Sequence, residues 1–226
     1  MKKNKVWLKR TFKTITPTKH LLANLSILVR GNQFNLFKKL TSPKKDSKVL
    51  DVGVTSSEIL KDSNMFEKLY EHKSNLTAAT IEDARVFRTL YPDIKTVKIY
   101  PKKRLPFKDG QFDIVTAWAT VEHVGSYKDQ EFFINELLRV GKKVFVTTPY
   151  RGCFYEPHTG IIFLHWLPLK FFRYVCKVMN KKFWATSENL NPLFKRDVDK
   201  MNLNKKVKTT IYYTMGILPT HLIISK

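Results

Sequence analysis

The sequence predicts an α/β protein: a doubly wound sheet closed by an antiparallel hairpin and preceded by a basic helical extension. Three observations predict it. From Lys48 onward, short apolar runs alternate with segments of helical period, the pattern of a parallel sheet covered by helices. The chain closes on two stretches of period-two character, "KVKTTIYYTMG" and "PTHLIISK", which read as a hairpin at the sheet edge. Ahead of the alternation, residues 1–45 carry an apolar stripe of their own and charge of a single sign.

The elements follow in order. Thr16 reads as a helix cap, with Pro17 at the first helical position. Leu21, Leu22, Leu25, Leu28 and Val29 recur at helical spacing, and a second short amphipathic piece with Phe34, Phe37 and Leu40 follows Gly31. Such a stripe either covers the domain and its pocket or lies on a membrane surface. "KVLDVG" is a buried strand, "SEILKDSNMFEKLY" a helix and "LTAATI" the second strand. "EDARVFRTLY" is a helix that Pro92 ends, and "TVKIY" and "FDIVTAW" are the next two strands. In "SYKDQEFFINELLRVG", Ser126 caps a helix with Asp129 in its first turn, and Gly141 stops it. "KKVFVTTP" is the fifth strand and "LPLKFFRYVCKVMN" a further helix with Pro168 near its start. The organisation is an extension over 1–45 and an α/β domain over 46–226, its ligand crevice at the carboxyl ends of the early strands.

The 226 residues suit one domain with a short extension. Cys153 and Cys176 form no CxxC pair, so a disulfide framework is excluded and a reducing compartment expected. The longest apolar run is broken by His165, Pro168, Lys170 and Arg173, too early to span a bilayer. "LLANLSILV" lacks the features of a signal peptide, so the expected location is cytoplasmic. The formal charge is +22, and Lys2 through Lys45 hold twelve Lys or Arg and no acid. That imbalance favours a polyanion, and peripheral contact with an anionic membrane at the inner face through residues 1–45 is expected. Coding bias towards Lys, Asn, Ile and Phe explains the charge of the remaining chain equally well. Nucleic acid is the less favoured partner, because no aromatic–basic interleaving marks a binding module.

Chemistry concentrates at "VLDVGVTSSE". Gly53 lets the backbone turn sharply after the first strand, and amides at the start of a following helix suit an anionic group. Asp51 stands on the strand before it, and Val54, Thr55, Ser56 and Ser57 fill the turn. A single-glycine turn of this kind serves a ligand or none.

Further blocks decide the reading. "VLDVG", "LPFKDGQFDIVTAWATVEHVG", "ELLRVGKKVFVTTPYR" and the His- and Trp-containing "EPHTGIIFLHWLP" stand in the order found in class I S-adenosylmethionine-dependent methyltransferases. Over residues 47 to 170 the chain resembles the type 11 group of that family. The resemblance implies a seven-stranded, Rossmann-like, mostly parallel sheet and S-adenosyl-L-methionine as the methyl donor. It also implies in-line displacement at the sulfonium methyl, in which the protein positions a nucleophile and removes its proton.

Under the resemblance Asp51, Gly53, Val54 and Thr55 would hold the donor, with the backbone around Trp118 closing on it. Thr55 and Ser57 stand where further glycines are usual. Thr80 stands where an acid commonly binds the ribose, so Glu82 takes that role with Asp83 in reserve. Both acids also suit the start of the next helix. No acid follows the third strand for the adenine amine, which leaves the backbone near Leu105.

Trp118, Tyr150, His158 and Trp166 would shape the acceptor pocket. The candidates for proton removal are His123, Glu156, His158 and His165, and His158, flanked by Glu156 and Thr159, could accept a proton near neutral pH. A structural histidine at a helix start accounts for His123 as well, and His165 reads as buried and structural. Glu156, His158 and His165 match no standard metal-ligand spacing, so no metal is predicted. The serine-hydrolase and P-loop patterns are absent. The expected activity is methyl transfer to a small-molecule, sugar or lipid-linked acceptor. The alternative is a catalytically degenerate relative that binds an anionic membrane or a partner through its basic terminus.

Overall fold

Val49–Val52 forms the first strand, β1, because all four side chains are buried and both edges are paired. The computed structural model of the chain describes residues 17–226, except Ser57, Ile59 and Leu60 and the side chains of residues 17–23. On one side β1 runs parallel to β2 (Leu76–Thr80), with Val49 opposite Leu76. On the other it runs parallel to β4 (Phe112–Trp118), with Val49 opposite Ile114. β3 (Lys95–Lys98) joins the outer edge of β2. β5 (Gly141–Pro149) extends the sheet beyond β4.

A two-residue hairpin of β6 (Tyr155–Glu156) and β7 (Ile161–Ile162) follows outside the main sheet. The terminal strands β8 (Lys208–Thr214) and β9 (Leu218–Ser225) pair antiparallel, and β9 lies antiparallel against β5. The order is β3-β2-β1-β4-β5-β9-β8, the expected seven-stranded sheet with its antiparallel edge.

Period two sorts the strand side chains between two layers. Leu50, Val52, Val115, Ala117, Val144, Val146, Leu222 and Ile224 face one core, against Ile134, Leu137 and Leu138 of a helix over Tyr127–Val140. Val49, Ile114, Phe145 and Ile223 face the other, with Phe34, Phe37 and Phe66.

Helix α1 (Pro17–Thr41) supplies Phe34 and Phe37 and runs unbroken through Gly31, where a break between two pieces is expected. Gly31 costs about 1 kcal/mol in a helix. The burial of Phe34 and Phe37 on either side of the aromatic cluster offsets it. Thr16, the expected cap, lies outside the described residues, as do the side chains of Leu21 and Leu22.

Helix α2 covers only Met65–Leu69, eight residues short of its expected start. Asn64 sits in left-handed backbone (φ 47°) ahead of it, and Ser57, where that helix was to begin, is outside the described residues. Helix α3 (Arg85–Leu90) follows β2, and α4 (Tyr127–Val140) carries the expected Ser126–Asp129 capping box. After the β6–β7 hairpin come α5 (Leu169–Val178) and the short α6 (Lys195–Asp199). Beneath α5 a third apolar cluster forms from Leu164, Phe172, Cys176, Ala185 and Leu190. Both cysteines are free and buried. Among the described residues no helix is long and apolar enough to cross a membrane.

Candidate functional site

The sheet order reverses at β1, so the crevice lies over the carboxyl ends of β1, β2 and β4. Gly53 opens the turn there with φ +110°, and its N–H donates to the Ala79 carbonyl at 2.9 Å. The residue must be glycine. A Cβ on it would meet Thr120 at 2.2 Å from Oγ1, 2.6 Å from Cγ2 and 2.9 Å from Cβ. Asn64 then ties the turn to α2. Its Oδ1 accepts from the Thr55 N–H at 3.0 Å, and its Nδ2 donates to the Thr55 carbonyl at 3.1 Å.

Glu82 reaches back from the end of β2 onto this turn. Its Oε2 accepts from the Ser56 N–H at 2.7 Å and from the Ser56 hydroxyl at 2.6 Å. Thr80 holds the strand end against the turn by donating to the Val54 carbonyl at 2.8 Å, and it accepts from the Glu82 N–H. Of the two acids considered for the ribose, Glu82 therefore faces the crevice. Asp83 does not. It accepts from the Arg85 N–H at 3.0 Å and its Nε at 2.7 Å on the exposed start of α3, the helix-start role.

Asp51, expected among the donor-binding residues, points elsewhere. Its carboxyl is buried beside Glu67 of α2, itself buried. Burial, and then the charge of Glu67, raise the Asp51 pKa well above the ordinary carboxylate range, and burial raises that of Glu67 too. Each therefore holds a proton more readily than an exposed carboxyl does.

Leu105, expected at the adenine, is also committed. Its N–H donates to Glu136 Oε2 at 2.7 Å and its carbonyl accepts from Arg139 Nη2 at 3.0 Å, so the α4 ion pair consumes that backbone. Trp118 stacks its ring on Phe66 at 5.6 Å and packs on Phe145 at 5.3 Å, inside the core under α1. Only its carbonyl borders the turn, through a 3.2 Å bond from Thr120.

A second cluster, the one expected to face an acceptor, assembles from distant segments. Glu122 and His123 lie on a short 3-10 turn, Val121–His123, after β4, and Glu156 and His158 on the β6–β7 hairpin. The rings of His123 and His158 meet edge to face at 4.9 Å, with Trp184 at 5.0 Å from His158. His158 Nδ1 contacts Glu156 Oε1 at 2.6 Å, and the other Glu156 oxygen accepts from the Thr159 N–H. Burial works against charge at both groups, but their mutual attraction wins: Glu156 falls to about 2 and His158 rises. His123 is lowered, chiefly by burial. Its Nδ1 lies 2.6 Å from the Asn189 carbonyl, which only accepts, so the proton sits on Nδ1.

His165 takes no part. It is buried, bonded through Nε2 to the Cys153 carbonyl. Arg151 fixes that loop by donating to the His165 and Leu167 carbonyls at 2.7 Å each. Trp166 bonds the same Cys153 carbonyl at 2.8 Å while its ring is half exposed on Phe163, and Tyr150 packs on Phe194. Neither contacts the paired histidines.

Arg30 of α1 overlooks the crevice. It pairs with Asp62 at 3.3 Å, and its charge is felt at Asp51, His158 and His221. Sequence reasoning missed Asn64, Glu67, Glu122 and Trp184. Only Glu122, inside the quoted "VEHV", stood in a recognisable motif.

Residues 50–144 match the family model described as "Methyltransferase domain". No curated protein matches the chain in sequence. Among solved structures, an S-adenosylmethionine-dependent methyltransferase from Methanosarcina mazei superposes with TM-score 0.50 at 16% identity, over 81% of this chain and 92% of that one. Geranyl diphosphate C-methyltransferase from Streptomyces coelicolor A3(2), in complex with Mg2+, geranyl diphosphate and S-adenosyl-L-homocysteine, superposes with TM-score 0.52 at 13% identity. That likeness covers 87% of this chain and 77% of the other. Residues 50–144 thus resemble a methyltransferase domain in sequence, and the seven-stranded sheet has the fold of the S-adenosylmethionine-dependent methyltransferases on which it superposes.

Proposed function

We propose that the chain transfers a methyl group from S-adenosyl-L-methionine to a small-molecule, sugar or lipid-linked acceptor. The donor would lie at the Gly53 turn beside Glu82, and the acceptor near His123, Glu156 and His158. When bound, the donor supplies an electrophilic methyl on a positively charged sulfur. The protein's share is to hold that sulfonium in line with a nucleophile and exclude water.

The observation that carries the reading is the Glu82 carboxylate against the turn, 2.7 Å from the Ser56 N–H. A carboxylate in that position matches the two vicinal hydroxyls of a ribose, and it compensates for Thr80. Calorimetric titration with S-adenosylhomocysteine tests it. A micromolar response, weakened at least tenfold by Glu82→Gln, is expected, and a silent titration of the folded chain overturns the proposal.

Among acceptors, the lipid-linked class is supported by α5. Phe171, Tyr174 and Val178 are exposed at 62%, 64% and 67%, with the exposed Lys170 and Lys177 beside them in the chain. An apolar stripe flanked by lysines suits an anionic bilayer surface. A second reading has support of its own. Ser56 N–H, an amide that would face the donor, is already capped by Glu82, and the Leu105 backbone is consumed by α4. A binding protein that has lost catalysis would show the same closure, and the silent titration named above is its signature.

A further inference from the structure

We propose that Glu122, His123 and His158 form a binding site for a first-row divalent cation. This departs from the expectation that no metal is bound, and it goes beyond methyl transfer, because the site stands whether or not the donor binds. One carboxylate oxygen and one nitrogen from each ring lie within 4.8 Å of one another. Small side-chain rotations bring such a set to the roughly 2.0–2.2 Å reach of a Zn2+-like ion.

The donors are also prepared for a cation. Glu122 is fully buried, yet its Oε1 has no hydrogen-bond partner. The other oxygen is fixed by the Thr148 hydroxyl at 2.8 Å, which aims Oε1 at the imidazoles, 3.8 Å from His123 Nε2. An unpartnered buried carboxylate oxygen is costly, and a metal ion removes that cost.

Each histidine is held by its other nitrogen. His123 Nδ1–H donates to the Asn189 carbonyl at 2.6 Å, and His158 Nδ1–H to Glu156 at 2.6 Å. Both bonds leave Nε2 as the atom that offers a lone pair. A carboxylate or carbonyl behind a histidine is the usual support of a metal-ligating imidazole. Two imidazoles and one carboxylate suit Zn2+, Co2+ or Fe2+ better than the all-oxygen preference of Ca2+ or Mg2+. Three protein ligands leave a coordination position open towards the acceptor side. In this arrangement His158 acts as a ligand, and Glu156 as its positioning residue.

The test uses the full chain, stripped with chelator and then titrated with Co2+ and with Zn2+. One equivalent should bind, with a visible Co2+ spectrum of low coordination number. Of the six histidines, two should report ligation through Nε2 in long-range 15N correlation spectra. His123→Ala and His158→Ala should each weaken Zn2+ at least tenfold, and Glu156→Gln by roughly 10- to 100-fold, the range for outer-shell partners. His72→Gln should change nothing.

The proposal is overturned if the folded wild-type chain binds no stoichiometric cation, or if the perturbed histidines are others. The wild-type spectra decide even where a variant fails to fold. S-adenosylhomocysteine is titrated separately into the metal-free chain. A chain that binds the donor but takes up no cation sinks this inference alone, and a chain that takes up the cation but does not bind the donor sinks only the methyl-transfer reading.

Discussion

Replacing Gly53 by alanine tests the turn on which the donor reading rests. Two costs arise in the structure. The backbone sits at φ +110°, where a Cβ is strained by about 1–2 kcal/mol. The new methyl also lands 2.2–2.9 Å from three atoms of Thr120. Thr120 cannot simply swing away, because its hydroxyl bonds the Val52 and Trp118 carbonyls at 3.3 and 3.2 Å. Forcing a methyl into such a contact costs about 1–3 kcal/mol. The sum is about 2–5 kcal/mol, or a fall in Tm of roughly 4–20 °C for a chain of this size.

The double variant Gly53→Ala/Thr120→Ala separates the two costs. It removes the contacts at 2.2 and 2.6 Å but keeps the backbone strain and the 2.9 Å approach of Thr120 Cβ. Urea unfolding followed by far-ultraviolet circular dichroism should therefore show the double variant between wild type and Gly53→Ala. Affinity for S-adenosylhomocysteine should fall in the single variant, since the turn moves with the methyl. A Gly53→Ala chain within 0.5 kcal/mol of wild type, the size of an ordinary surface change, would refute the packing of this turn on β4.

Other outcomes follow from the same contacts. Phe37→Ala empties a site enclosed by Phe66, Trp118 and Phe145, and should cost about 3–5 kcal/mol in urea unfolding. A loss under 1 kcal/mol would mean that α1 is not part of the core. Asp51 and Glu67 hold their protons longer in the native state, so their stabilisation is full at acid pH and lost as pH rises through the raised folded values. Glu67→Gln should therefore exceed wild type in urea midpoint at pH 8, by a margin that shrinks towards pH 4; a margin independent of pH contradicts the raised Glu67 carboxyl. Replacing Phe171, Tyr174 and Val178 by serine should abolish flotation with phosphatidylserine vesicles and leave circular dichroism unchanged. Flotation that persists in the triple variant removes the membrane role of α5.

The sheet was legible because burial on both faces writes continuous apolar runs, as in "KVLDVG" and "FDIVTAW", and these strands lie where their patterns put them. The failures are tertiary. α2 is short because Asn64 leaves the helical region to bond both backbone groups of Thr55, a partnership nine residues long that no period reveals. Asp51 resembled a crevice acid until Glu67, a charged residue on a helical pattern, proved to be buried against it. The Leu105 backbone is held by Glu136 and Arg139 of α4, some thirty positions away, and a helical period does not show what its charged residues bond. His123 and His158 stand 35 positions apart, and their contact depends on a two-residue hairpin too small for any pattern.

The two halves of the site differ in how well their polar groups are satisfied, and that difference bears on function. On the proposed donor side Ser56 bonds Glu82, Thr80 bonds Val54 and Glu82, and Asn64 bonds Thr55, so a nucleoside entering there must exchange hydrogen bonds rather than find vacant ones. Net exchange of this kind gains about 1 kcal/mol or less per bond. Around β4, by contrast, Thr116 Oγ1, Trp118 Nε1 and Glu122 Oε1 are buried without partners, each at a cost of about 1–3 kcal/mol. Of these atoms Glu122 Oε1 lies 3.8 Å from His123 Nε2, so the cation proposed above would remove its cost.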